Sequence, residues 1–225
     1  IASLMLAGVM AVSMLAGCNT ASNGGNNGGE GEGEGTTTTG YSVAFGEKVE
    51  KLNPTVKGMD NVTFADNAND QAALEDALNN AGAWDVLYGT RNSSIELLDN
   101  EQANVVNDFE DAAKLDRYGI ANRNNEVFNG TSTINRTTKV GSVYYVDGAV
   151  SMDKVLNQVA DHLDNFFETL QEDGSITDRD GNEVTYDFDY TISVSAVNKT
   201  SDVIDWYNGS VNVIAVTVTR TATAD

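Results

Sequence analysis

From Val184 to Val197 the chain alternates. Val184, Tyr186, Phe188, Tyr190, Ile192, Val194 and Ala196 are apolar, and Thr185, Asp187, Asp189, Thr191, Ser193 and Ser195 stand between them. Successive side chains of an extended chain point to opposite faces, so this period of two specifies a long strand with one buried and one wet face. That pattern belongs to antiparallel sheets, and it commits the chain to further strands and a covering layer. Residues 210–221, SVNVIAVTVTRT, supply a second long strand whose faces are less distinct, which predicts a central place. SVYYV, 142–146, supplies a third. Asp180-Gly181 lies between two strand-like runs and predicts a type I′ hairpin turn.

The covering layer is also visible. In residues 152–171 Met152, Val155, Leu156, Val159, Ala160, Leu163, Phe166, Phe167 and Leu170 share one face at helical spacing, with Ser151 as N-cap and Gly174 just past the end. Shorter apolar stripes predict helices over 69–82 (Ala72, Ala73, Leu74, Ala77, Leu78) and 100–115 (Val105, Val106, Phe109, Ala112, Ala113). Residues 84–89 read as a strand or chain reversal, and 119–138 as a long polar loop or an irregular hairpin. The expected fold is α+β: a mostly antiparallel sheet with about three helices packed on one face.

The N-terminus has a different character. Residues 1–17 carry no charge and end in small residues, as a secretory signal does, although the basic segment that normally opens one is missing. Leu15-Ala16-Gly17-Cys18 resembles the lipobox of bacterial lipoproteins. The resemblance covers these residues and the run before them, and it implies a diacylglycerol on the Cys18 thiol and cleavage before Cys18. The domain is then expected to be extracytoplasmic and held on the membrane by that lipid, since each buried methylene contributes about 0.8 kcal/mol. Cys18 is the chain's one cysteine, so no thiol remains for a disulfide or a thiolate metal site.

Residues 18–40 follow as the lipidated cysteine and a Gly/Asn/Glu/Thr tether with nothing to bury, which predicts a disordered spacer reaching roughly 25 Å. Residues 41–225 are expected to form a single acidic domain. The tether holds three of the chain's 34 acids and none of its 13 bases, so the domain carries 31 acids against 13 bases. Such a surface lacks the basic face that nucleic acid requires, so nucleic acid is not an expected partner, and it is repelled by anionic membrane. A protein or glycan partner at the cell surface is expected instead.

Several residues could carry chemistry. Ser151-x-x-Lys154 at a helix start, with Asn198-Lys199-Thr200-Ser201 further on, resembles elements of penicillin-binding and β-lactamase-like serine enzymes, but an S-D-N element is missing and Ser201 stands where glycine is needed. Ser151 is read as a helix cap. His162, the one histidine, falls on the polar side of its helix and is read as a surface residue; the usual zinc sites need more histidine or cysteine than this chain has. Asp178-Arg179-Asp180-Gly181-Asn182-Glu183 suggests a calcium loop, extended by Glu172, Asp173 or Asp187, yet aligned on Gly181 an EF-hand register puts Ile176 at the first ligand position. Trp84 and Trp206-Tyr207-Asn208-Gly209 are read as core before sugar platform, and Asp187 and Asp189 as a solvated pair before a glycosidase pair. No catalytic residue, cofactor or metal is assigned. The expectation is a lipid-anchored surface lipoprotein with a non-enzymatic binding domain; the alternatives are a carboxylate-dependent hydrolase and a calcium-stabilised adhesion domain.

Overall fold

The computed structural model describes residues 40–81, 91–99, 103–120, 128, 133–200 and 209–225. Cys18, tether residues 19–39, Trp84, Trp206, Tyr207 and Asn208 fall outside the described residues. No helix among those described is long and apolar enough to cross a membrane.

Three long strands make the frame: β4 (Thr138–Asp147), β6 (Glu183–Thr200) and β7 (Ser210–Ala224). β7 pairs antiparallel with both β4 and β6, which gives it the central position that its two-sided apolar pattern predicts. β5 (Asp173–Thr177) pairs antiparallel with the start of β6. Three short strands complete the sheet: β1 (Val62–Phe64), β2 (Glu96–Leu97) and β3 (Arg117–Tyr118). β1 joins β6 and β3 joins β4 in parallel, so the sheet is mixed, not mostly antiparallel as expected. Hairpin neighbours must run antiparallel, whereas short segments arriving from helices can lie along an edge in either direction.

Five helices are described, not three: α1 (Tyr41–Leu52), α2 (Pro54–Lys57), α3 (Ala68–Asn80), α4 (Ala103–Ala113) and α5 (Met152–Phe167). They cover both faces of the sheet, which corrects the one-face expectation. On one face Phe45 and Val49 of α1 and Val155, Val159, Leu163 and Phe167 of α5 pack on Phe188, Tyr190, Ile192, Ile214, Val216 and Val218. On the other, Leu74 and Leu78 of α3 and Val105 and Phe109 of α4 pack on Val143, Val211, Val213 and Ala215. The blurred alternation of β7 records burial on both sides.

Local chemistry sets the helix ends. Asn67 caps α3, its side chain accepting from Asn69 N and Asp70 N, and Asn53 caps α2 in the same way. Ser151 occupies the N-cap position of α5 in extended conformation but makes no side-chain cap bond. Gly174, expected to end that helix, lies in β5. The unforeseen α1 buries Ser42, Phe45, Gly46 and Val49, an i, i+3, i+4, i+7 stripe. Gly46 is required there: a Cβ would stand 2.6 Å from the Phe64 ring.

Side chains finish the edges that strands leave open. Along β6 beyond β1, Val194 N–H donates to Ser42 Oγ (2.9 Å), and Gln71 bonds Ala196 twice, accepting from its N–H and donating to its carbonyl (both 3.1 Å). Along β4, Tyr118 Oη accepts from Val143 N (3.0 Å) and donates to Leu98 O (2.7 Å), while Ile120 N donates to Ser142 Oγ (2.7 Å). Burial pushes the Tyr118 hydroxyl well above its ordinary range, so it stays a neutral donor. Exposed sheet edges invite pairing with other chains, and these contacts blunt them.

One buried ion pair ties four elements together. Lys139 Nζ bonds Asp70 Oδ1 and the Ala113 carbonyl (3.0 Å), and Thr217 Oγ1 donates to Asp70 Oδ2 (2.6 Å). Asp70 sits in the first turn of α3 and Lys139 meets the last carbonyl of α4, so each charge lies at the helix end that favours it. Asp70 is 1 % exposed. Asp70→Ala strands the Lys139 charge and is expected to cost about 3–5 kcal/mol in urea unfolding, whereas Asp70→Leu combined with Lys139→Met costs far less.

Candidate functional site

α3 and α4 cover only part of their face of the sheet. Beyond them the odd-numbered residues of β6 and β7 continue into solvent, with Asp187, Asp189, Thr191, Thr221 and Thr223 exposed and Thr219 half-buried. The register sets them in rows. Thr63, Thr191, Thr219 and Lys139 lie side by side across β1, β6, β7 and β4; Asp189 stands beside Thr221; Asp173 of β5, Asp187 and Thr223 form the outer row. Strands stand about 4.8 Å apart and alternate residues about 6.7 Å, so this is a flat array of hydroxyl and carboxylate oxygens at regular spacing.

The array exists because the wet positions of β6 meet the threonines of β7 in register, while Phe188, Tyr190 and Ile192 turn to the opposite core. Asp187 and Asp189 were legible from their alternation. Asp173 enters the sequence reading only as an extension of the acidic loop, not as part of a sheet face, and the threonines do not enter it as a group; threonine at 217, 219, 221 and 223 is the signal available for them. The one lysine in the rows, Lys139, is already bound to Asp70, so the acids leave this face negative. It can accept hydrogen bonds from, and attract, a cationic surface.

The remaining candidates are spread over the molecule. Ser151 and Lys154 begin α5, against the opposite face, and Lys154 is exposed. Lys199 points the other way, where its ammonium bonds the Leu78 carbonyl near the end of α3, so the serine-enzyme elements are not assembled. His162 is exposed on α5, its ring edge-on to Tyr144 at 5.5 Å. Asp187 and Asp189 share a face two residues apart, on a flat exposed surface. Among the described residues no group of three or more His, Cys, Asp or Glu side chains is arranged to hold a metal ion.

The acidic hairpin is a turn built on one carboxylate. Asp178 Oδ1 accepts from Asp180 N and Asn182 N (both 2.8 Å), and Oδ2 from Asn182 Nδ2 (3.1 Å). Gly181 N donates to Asp178 O (3.2 Å), and Gly181 has φ +87°. Asp180 is not left-handed, so the turn is not the expected type I′, which needs positive φ at both central residues.

Comparison with protein-family models, with curated proteins and with solved structures finds no match.

Two predictions test this description. The backbone N–H and side-chain amide of Asn182 hold the Asp178 carboxyl below its ordinary range. A depressed folded-state pKa stabilises above the unfolded value, about 3.9, and that contribution disappears as pH falls through the folded value. Asp178→Ala should therefore lower the melting temperature at pH 7 and converge on the parent in strong acid. Second, Asp173 and Asp187 are directly opposed like charges, so Asp187→Thr should raise the melting temperature by about 1–3 °C at low salt and less at high salt.

Proposed function

We propose that this chain is a lipid-anchored, extracytoplasmic surface protein whose domain binds a basic protein partner through the open half of its sheet, without catalysing a reaction. The observation that carries the binding reading is the array of Asp173, Asp187 and Asp189 among threonines, left bare on a sheet whose other surfaces are covered by helices. Complementary charge steers such encounters and sets specificity more than affinity.

The location rests on sequence. Leu15-Ala16-Gly17-Cys18 resembles a lipobox, and the 22 residues from Asn19 to Gly40 contain no apolar side chain larger than alanine. Lipid on Cys18 would supply the anchor and the tether the reach, which suits a domain that meets its partner near the membrane.

Expressed in a bacterial host, the parent should fractionate with membranes and incorporate labelled fatty acid, and Cys18→Ala should lose both. For the binding face, a Lys/Arg-rich peptide titrated at low salt should bind the parent, and Asp173→Asn, Asp187→Asn and Asp189→Asn together should weaken it at least tenfold. A control removing three exposed helix acids, Glu47, Glu50 and Asp76, should change it little. Equal loss in both triple variants would reduce the effect to net charge and sink the assignment of the face.

A further inference from the structure

Among the described residues, Arg220 is a buried cation without an ion-paired carboxylate. It is 0 % exposed. Its Nη1 donates to Phe128 O and its Nη2 to Thr133 O, both at 2.6 Å. Its Cζ lies 4.3 Å from the centre of the Phe188 ring and 5.1 Å from that of Phe128. These contacts clamp the segment carrying Phe128 and Thr133 onto the sheet. Carbonyls and ring faces bear only partial negative charge, however, and among the described residues no carboxylate is ion-paired with Arg220. Burial disfavours the guanidinium cation; the Tyr190 hydroxyl beside it offsets part of that, and the nearby positive charge of Arg136 works with burial.

Two polar atoms beside it are orphaned. Arg220 Nε has no hydrogen-bond partner, and neither has Oγ1 of Thr138, which is also 0 % exposed. Thr138 is the residue directly opposite Arg220 on β4, as Tyr190 is on β6. Cross-strand neighbours have Cβ atoms about 4.5–5.5 Å apart, so Nε–H and the threonine hydroxyl can converge on one small species. Both can donate, and the net charge of the row is positive. Leaving two such groups unpaired in the core is costly, and an uncompensated charge more so.

We propose that Arg220 Nε and Thr138 Oγ1 bind a small monovalent anion, chloride in kind, on the core face of the paired strands β4 and β7. One negative charge neutralises the guanidinium while its two other nitrogens keep their carbonyls. Full burial restricts the ligand to a compact ion.

The test uses the purified full-length chain, crystallised and soaked in sodium bromide. An anomalous peak within hydrogen-bond distance of Arg220 Nε and Thr138 Oγ1 is expected. Thr138→Val, which keeps the shape and removes the donor, should lose most of that peak. In solution at constant ionic strength, replacing gluconate by chloride should raise the melting temperature of the parent and leave Thr138→Val unmoved. A water molecule without anomalous signal between the two atoms, bromide only at other places, or an undiminished peak in Thr138→Val would overturn the proposal. Should Thr138→Val not fold, the parent's bromide map decides alone.

Discussion

The structure depends on backbone hydrogen bonding along the outer sides of two long strands. β6 runs for 18 residues and β4 for 10, with β7 paired between them. Each outer N–H and C=O left in the protein interior without a partner would cost about as much as a lost hydrogen bond. The fold meets this demand with fragments: a hairpin arm, two- and three-residue strands, and single side chains from helices. Ser42, Gln71 and Tyr118 each act as a length of strand. The parallel pairings and the number of helices follow from that, because the chain must return to the edges several times.

The same demand fixes where charge is buried. Asp70 and Lys139 join the start of α3 to the end of α4 beneath the helices on one face. Arg220 joins the sheet to the polar segment on the other. Neither charge contributes much stability by burial itself, since desolvation opposes it. Each instead fixes the position of the backbone it bonds, the facing ends of α3 and α4 in one case and the segment carrying Phe128 and Thr133 in the other. Tyr118 and Arg220 lie at opposite sides of the sheet and play the same part by different chemistry.

The elements were largely legible where the periodicity was long. The helix from Met152, the strand from Val184 and the central strand from Ser210 appear at nearly the expected limits. α1 was not, because its stripe includes Ser42 and Gly46, polar or absent side chains buried for reasons of contact with β6 and β1. The role of Arg220 was equally hidden: nothing in TVTRTATA marks its one charge as buried, yet it lies on the core side with Val218. Of the candidate site, the aspartates of β6 were readable from alternation, whereas Asp173 and the threonine rows depend on register between strands, which the local pattern does not contain.

By itself the sequence determined the strand and helix periods, the α+β class, the acidity and the one cysteine within Leu15-Ala16-Gly17-Cys18. These are properties of residues close along the chain, where side-chain spacing alone sets the outcome. Only the tertiary structure decided that helices cover both faces, that one half of one face stays bare, and that Arg220 meets Thr138 in the core. Those outcomes depend on pairings between residues far apart in the chain, such as Arg220 with the Phe128 carbonyl at a separation of 92 and Ser42 with Val194 at 152. The cause is geometric: a strand's alternation says which residues share a face, but not what will be laid upon it.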